Sequence, residues 1–465
     1  MPYTLRIIRL ASLLVALAIP LMVQANTFEH QLANGLRVIV KEDHRAPTAV
    51  QMVWYRAGSM DESSGTTGVA HLLEHMMFKG TPSTGEGEFS RLVAAAGGRD
   101  NAFTSKDYTA YFQQVPKQKL EQMMQLEADR MRHLNLDAKA FEQEIKVVME
   151  ERRMRTDDQP HARLSEQLSA VALQTHPYRA PVIGWMSDLE SMTVQDARDW
   201  YERWYVPNNA YVVIVGDVDH DEVFKLADQY YGPLESRALP VRRPQDEPVQ
   251  TGIRRLTLKA PSELPVLMMV YKVPVIRDVE NDVDPYALEM LAAILDGHDA
   301  ARFSKHLIRE QRLAVSAGAS YDATARGPGL FYLHGSPSKG KTRADLEAGL
   351  RAEIARIVKD GVSVDELARV KAQLVAGQTY KLDSMFAQAM EIGQLESVGI
   401  AYQQGKRLIE KLETVKAEQV KEVARKYFRD EQLTVGELDP QPLPKNLPPV
   451  PSARPTTASH GMIKP

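Results

Sequence analysis

Residues 71–75 read His-Leu-Leu-Glu-His, and this pentapeptide constrains the fold more than any other segment of the chain. Histidines four residues apart share one face of an α-helix, so both imidazoles can reach one metal ion. Good helix formers fill residues 69–78 and Gly-Thr-Pro follows at 80–82, which predicts a helix over 69–78. Catalytic zinc sites add a third protein ligand and leave one position for water. If the pentapeptide is more than a buried helix with two satisfied histidines, the fold must bring a third ligand to it.

A second helix, predicted over residues 141–153, carries candidates for that ligand. Glu144 and Glu151 are seven residues apart, which is two helical turns, so their side chains share a face. Glu150 is the alternative to Glu151. A helix rich in glutamate is, by itself, usually just a solvated face.

The pattern H-x-x-E-H, followed at this distance by a glutamate helix, resembles the pitrilysin/insulinase family of inverted-motif zinc peptidases. The resemblance implies that His71, His75 and Glu151 bind one Zn²⁺ per chain, and the spacing from Glu144 favours Glu151 over Glu150. It also implies that Glu74 is the general base for the attacking water and that Glu144 orients a ligand histidine. The implied activity is that of a metalloendopeptidase acting on extended peptides or unfolded segments.

Residues 97–104, Gly-Gly-Arg-Asp-Asn-Ala-Phe-Thr, form a turn followed by a strand pattern. They are similar to the G-G-x-x-N-A-x-T strand of the same family, an edge strand on which the substrate peptide pairs as an added strand. The resemblance therefore assigns Asn101 and Ala102 to substrate binding. Main-chain pairing suits a peptidase of loose specificity.

The chain repeats itself at a period of roughly 220 residues. Strand patterns at 50–56 and 266–272 match, and the helix after the second, at 287–297, has lost every ligand. The helix at 364–374 resembles the glutamate helix without its second glutamate. We predict an α/β (α+β) fold of two homologous domains, each a mostly antiparallel sheet backed by helices, as in the fold of mitochondrial processing peptidase. The predicted segments are a catalytic domain at 26–232, a linker at 233–252, a degenerate domain at 253–439 and a disordered Pro-rich tail at 440–465.

The N-terminal residues 1–25 have the pattern of a secretory signal peptide, with arginines, an apolar run and small residues before a cleavage site after Ala25. We therefore expect a periplasmic protein with no stable membrane span after cleavage. The chain has no cysteine, so no disulfide holds it together. A net charge of −4 argues against nucleic acid as a partner.

The second half departs from the family pattern. Family members that work as one catalytic unit carry an Arg and a Tyr seven apart that bind the substrate carbonyl. Arg309 fits the arginine, but Val315 or Ser316 stands where the tyrosine is expected, and Tyr321 is too far along. The favoured interpretation is a heterodimer whose paralogous partner lacks zinc and supplies the Arg/Tyr pair. A homodimer, a weak or specialised enzyme, and a non-catalytic assembly or peptide-binding subunit with a structural zinc are the alternatives.

Asp61 and Glu62 precede the pentapeptide closely. They are positioned to cap the helix or to contact a substrate amine. A solvated loop is the favoured interpretation of the pair.

Overall fold

The computed structural model describes residues 27–443. The predicted signal peptide and residues 444–465 of the predicted tail lie outside the described residues. The described residues form two β-sheets with their helices. Among these residues, no helix is both long enough and apolar enough to cross a membrane.

The first sheet has six strands: β1 (Thr27–Gln31), β2 (Arg37–Glu42), β3 (Thr48–Tyr55), β4 (Arg99–Thr104), β5 (Thr109–Pro116) and β6 (Ala210–Gly216). Their order is β1-β2-β6-β3-β5-β4, with β2 and β6 parallel and the other neighbours antiparallel. The helices of this half are α1 (Val69–Met76), α2 (Glu88–Ala95), α3 (Leu120–Arg132), α4 (Ala138–Arg152), α5 (Pro160–Ala172), α6 (Met186–Ser191), α7 (Val194–Trp204) and α8 (His220–Tyr230).

The second sheet has five strands: β7 (Arg254–Pro261), β8 (Val266–Val273), β9 (Ala314–Ser320), β10 (Gly329–Pro337) and β11 (Leu433–Gln441). Its helices are α9 (Asp284–Asp296), α10 (Arg343–Asp360), α11 (Val364–Lys381), α12 (Met385–Ser397), α13 (Gly405–Thr414) and α14 (Ala417–Tyr427). Two π-helical segments follow α4 and α9, at Arg153–Asp157 and Phe303–Glu310. Short 3₁₀ turns lie at Ser59–Asp61, Lys117–Lys119, Pro177–Arg179, Pro207–Asn209, Tyr402–Gln404 and Asp430–Gln432.

The two sheets have the same topology. The order β7-β11-β8-β10-β9 repeats β2-β6-β3-β5-β4, and β7 pairs in parallel with β11 as β2 does with β6. The prediction of two similar, mostly antiparallel domains backed by helices is confirmed. The last strand runs to Gln441, two residues beyond the predicted end of the second domain.

Each half of the chain lends one helix to the sheet of the other half. Helix α12 packs on β3 and β6 of the first sheet, and α5 packs on β7, β8 and β11 of the second. Every residue of β6 is buried because both faces of this sheet are covered, one by α12 and one by helices of its own half. Gly393 allows the close approach of α12, since a Cβ there would lie 2.0 Å from a ring atom of Trp54. The two domains therefore share their cores.

The segment between the domains has no helix or strand from residue 235 to residue 253, yet it is held to both domains. The Glu247 carboxylate accepts from the backbone N–H groups of Gln174, Thr175 and His176 in the first domain, and from Lys272 Nζ in the second. A segment tied in this way fixes one domain relative to the other.

Candidate metal centre and active site

The N-terminus of helix α1 is capped by carboxylate side chains from outside the helix. Gly68 has a left-handed φ of 91°, and its N–H donates to Glu62, as does the N–H of Ala70, each at 2.9 Å. Asp188 accepts from the N–H and the hydroxyl of Thr67. Carboxylates here satisfy helix N–H groups and complement the positive end of the helix dipole. The interpretation of residues 61–62 as a solvated loop is wrong, because Glu62 caps the helix.

Asp61 has a second structural task. Its side chain is 2% exposed and pairs with Arg242 of the linker and Arg326 of the second domain. The backbone N–H of Arg326 also donates to Asp107, in the loop that follows β4. The loop after the β4 edge is thus clamped from the other domain, a contact that the sequence pattern does not indicate.

Three candidate ligand side chains converge between α1 and α4. The Nε2 atom of His75 lies 3.3 Å from Glu151 Oε2, and Nε2 of His71 lies 3.9 Å from Glu151 Oε1. One ligand atom from each residue lies within 4.8 Å of the others. Ligands of a tetrahedral zinc ion, at about 2.0–2.1 Å each, lie about 3.4 Å apart. Two imidazoles and a carboxylate at this spacing fit zinc, and within residues 27–443 no other such cluster occurs.

Glu150 points elsewhere. It is exposed and pairs at 3.0 Å with Arg153, three residues along the helix. Glu151, in contrast, is 8% exposed and faces the two imidazoles. The structure thus brings together His71, His75 and Glu151 and leaves Glu150 on the outer face of α4.

Glu144 lies behind His75. Its Oε1 lies 2.8 Å from His75 Nδ1, and Lys79 Nζ approaches its Oε2 to 2.5 Å. Burial opposes ionisation of Glu144, but the contacts with His75 and Lys79 outweigh it and lower its pKa to about 2. An ionised carboxylate at Nδ1 sets the tautomer of the imidazole and leaves Nε2 as the metal-facing atom.

The electrostatics around His75 favour a cation. Burial would lower the pKa of His75, but the hydrogen bonds with Glu144 and Glu151 outweigh burial and raise it to about 9. The pKa of Glu151 is lowered, since its contacts with the histidines outweigh its own burial. The carboxylates around His75 stabilise an extra proton on the imidazole. A divalent cation that binds here can replace that proton and interact with the same negative charges.

Glu74 lies on the wall of a cavity of about 290 Å³ that His71 and Glu151 also line. Its side chain is nearly fully buried, and the Thr104 hydroxyl donates to Oε2 at 2.6 Å. Burial raises the pKa of Glu74 to about 7. A carboxylate with a pKa near neutral can accept a proton from water and return it.

The strand β4 forms the edge of the first sheet beside this cavity. Ala102 lines the cavity, and the Asn101 side chain accepts the Ala102 N–H through Oδ1 at 2.9 Å. Thr104 was not singled out from the sequence, although it ends the Asn-Ala-Phe-Thr stretch and shares a strand face with Ala102. The final threonine of the G-G-x-x-N-A-x-T pattern is the sequence signal that points to Thr104.

Arg309 does not line this cavity. It is exposed in the π-helical segment of the second domain. Val315 and Ser316 are exposed on β9, and the Tyr321 hydroxyl donates to the Pro274 carbonyl at 2.6 Å. The second-domain candidates therefore do not line the cavity that contains His71, Glu74 and Glu151.

The fold and the cluster define a class: two-domain α/β proteins with an inverted zinc motif on the first helix of the first domain. Residues 37–184 match the family model "Insulinase (Peptidase family M16)" and residues 191–374 match "Peptidase M16 inactive domain". The chain belongs to the insulinase family, M16, and the predicted resemblance is confirmed.

The similar proteins include peptidases. Zinc protease PqqE of Helicobacter pylori is 31% identical over 451 residues, which covers 94% of this chain and 98% of the relative. The crystal structure of a protease from Helicobacter pylori matches with a TM-score of 0.84 and 29% identity, over 90% of this chain and 100% of that one. The periplasmic protease PqqL of Escherichia coli shares the fold at a TM-score of 0.76 and 20% identity, with 89% of this chain matching 48% of PqqL.

Proposed function

We propose that the chain is a zinc-dependent endopeptidase that hydrolyses extended peptides or unfolded segments. The observation that carries the proposal is the convergence of His71, His75 and Glu151 beside Glu74 in one cavity. In this proposal the first three residues hold one zinc ion. Glu144 positions His75, through the 2.8 Å contact with its Nδ1.

A bound zinc ion supplies a Lewis acid that polarises the substrate carbonyl and makes water more acidic. Glu74 takes a proton from the attacking water as the water oxygen bonds to the carbonyl carbon. When the C–N bond breaks, Glu74 returns that proton to the amine nitrogen. The Thr104 hydroxyl, at 2.6 Å, holds the carboxylate in place for both transfers. Burial raises the pKa of Glu74 to about 7, which suits a group that accepts a proton and returns it.

The edge strand β4 supports the proposed substrate class. Its free edge runs from Asn101 through Ala102 toward the cavity that contains Glu74. A peptide that adds to this edge is held by main-chain hydrogen bonds, so extended segments of varied sequence can bind. A strand inside a folded domain is already hydrogen-bonded to its neighbours, so an extended or unfolded segment adds to this edge more readily.

We further propose that the chain is the catalytic subunit of a periplasmic heterodimer. PqqL, described as periplasmic, has about twice the matched length, which fits a functional unit of two such chains. Arg309 lies away from the cavity, so a paralogous partner is proposed to supply the Arg/Tyr pair. Size-exclusion chromatography of the chain alone and with a co-expressed paralogue tests this, and full activity of the isolated monomer contradicts it.

The decisive experiment on catalysis uses the Glu74→Gln variant and an unfolded peptide substrate. Loss of the general base lowers cleavage by about 10²–10⁴-fold while zinc and peptide remain bound. The matched control is Glu289→Gln on α9, a half-buried glutamate of the second domain whose pKa is also raised by burial. Chelation should abolish cleavage and added zinc should restore it. Undiminished cleavage by Glu74→Gln refutes the base, and the absence of any cleavage favours a peptide-binding subunit with a structural zinc.

A further inference from the structure

Among the described residues that line the catalytic cavity there is one arginine and no lysine. Arg155, in the π-helical segment after α4, lies on its wall with Glu74 and Glu151. Its Nη1 atom forms an ion pair with Glu151 Oε1, one helical turn earlier in the chain. The side chain is 39% exposed, so the guanidinium faces the open part of the cavity and not the core.

Peptide hydrolysis creates an oxyanion beside the candidate metal ligands, where a donor of this chain can act together with the Arg/Tyr pair proposed for the partner. As water adds, negative charge develops on the carbonyl oxygen, next to the residues that hold the metal. Donors aimed at that oxygen contribute strongly to the rate. The Thr104 hydroxyl already donates to Glu74, and Arg309 lies outside the cavity. Among the lining residues, Arg155 is the donor whose charge complements an oxyanion.

We propose that Arg155 is a catalytic residue that donates a hydrogen bond to the carbonyl oxygen of the scissile peptide bond. The inference rests on the proposed peptidase function. The planar guanidinium carries several N–H donors, so it can pair with Glu151 and present another donor to substrate. The ion pair with Glu151 orients the group before the substrate arrives. This preorganisation lets the donor act without a further ordering step.

The position of Arg155 also explains how it can contact Glu151 while it faces the substrate. Glu151 and Arg155 are four residues apart, so they share a face of the helix. Arg153, two residues earlier, is directed to Glu150 on the outer face instead. Neighbouring arginines of one segment therefore form two similar ion pairs, one at the cavity and one in solvent.

That similarity provides the test. Arg155→Met, Arg155→Lys and the control Arg153→Met are compared in zinc content, kcat and KM with an unfolded peptide. Loss of one oxyanion donor lowers kcat by about 10²–10³-fold. We expect zinc content and KM to stay near the wild-type values, Arg155→Lys to recover part of kcat, and Arg153→Met to match wild type. A kcat within threefold of wild type for Arg155→Met, or a loss of zinc in proportion to activity, overturns the proposal.

A binding measurement separates this inference from the peptidase proposal itself. Zinc-loaded Glu74→Gln protein, with and without Arg155→Met, is titrated with a phosphinic peptide and with the uncleaved peptide of the same sequence. The phosphinic group carries tetrahedral, negatively charged oxygens, so Arg155→Met should weaken it at least tenfold and leave the plain peptide unchanged. Equal weakening of both ligands, or of neither, overturns the role of Arg155. A wild-type protein that cleaves nothing refutes the peptidase, while this titration still decides the binding role.

Discussion

Helices α1 and α9 follow the equivalent strands β3 and β8, yet one carries candidate metal ligands and the other packs into an apolar core. Aligning Ala70 with Ala287 places Leu288 at the position of His71, Leu291 at that of Glu74, and Ala292 at that of His75. Leu288 and Leu291 are fully buried in the core of the second domain. The same place in the same topology thus accepts either chemistry.

The partner helices differ in the same way. Asp137 accepts the N–H of Ala140 at the start of α4, and the Ser363 hydroxyl accepts the N–H of Glu366 at the start of α11. Counted from these caps, Val370 takes the position of Glu144 and Gly377 that of Glu151, so α11 lacks both glutamates and not only the second. Val370 is buried in the same core as Leu288. The second copy forms the same topology with buried apolar side chains at three of these positions, Leu288, Leu291 and Val370.

This contrast teaches where function lies in the molecule. Buried carboxylates and imidazoles carry a desolvation cost that an apolar core avoids. The first domain carries that cost at residues 71, 75, 144 and 151, and the proposed zinc ion would offset it.

Replacing Glu151 by Gln should remove the metal site. A neutral amide is a weaker zinc ligand than a carboxylate. Loss of a residue that only supports a ligand lowers metal affinity or activity by about 10–100-fold, and loss of a ligand should cost more. Zinc affinity and cleavage should therefore fall by more than about 100-fold. Glu150→Gln, on the outer face of the same helix, is the control. Zinc content by elemental analysis and peptide cleavage are the measurements. Equal losses in both variants would show that the choice between the two glutamates is wrong.

Truncating the aligned helix position should affect the two domains unequally. Leu288→Ala leaves a void in a closed core and should lower the free energy of unfolding by about 2–5 kcal/mol. His71→Ala, measured without zinc, should cost about 1 kcal/mol or less, because the side chain borders an existing cavity. Urea denaturation of both variants provides the comparison. A larger loss for His71→Ala would mean that the candidate ligand side chains also stabilise the zinc-free fold.

The residue behind His75 should tune the metal more weakly than a ligand does. Glu144→Gln keeps the shape but loses the charge at His75 Nδ1, so zinc affinity should fall by about 10–100-fold. Competition with a chelator measures it. Val370→Gln, at the counterpart position, should lower stability and leave zinc affinity unchanged. An unaltered zinc affinity in Glu144→Gln would assign Glu144 a packing role only.

The smallest effect concerns the segment between the domains and acid. Burial opposes ionisation of Glu247, but hydrogen bonds from His176, Gln174 and Thr175 N–H groups and from Lys272 lower its pKa to about 2. Because the folded pKa lies below the ordinary value of 4.5, its contribution is present above that pH and is lost as pH falls toward 2. Wild type should therefore lose more stability than Glu247→Gln between pH 4.5 and 2.5 in denaturant titrations. If the free energy of unfolding falls equally in both proteins over this pH range, Glu247 is not the acid-sensitive contact between the domains.

The sequence by itself determined what is local or periodic. The four-residue spacing of His71 and His75 and the seven-residue spacing of Glu144 and Glu151 place side chains on helix faces, because helical geometry depends only on residue number. The repeat likewise predicted two similar sheets, since equal patterns of apolar residues bury equal surfaces. These inferences need no knowledge of distant contacts.

Tertiary structure alone decided which of these faces meet. It brought Glu151 and not Glu150 to the histidines, turned Glu62 into a cap for α1, and clamped Asp61 with arginines from distant segments. It also packed α5 on the second sheet and α12 on the first, and it placed Arg155 on the cavity wall. Each outcome depends on how whole helices pack across the chain, and packing joins residues whose separation in sequence carries no periodic signal.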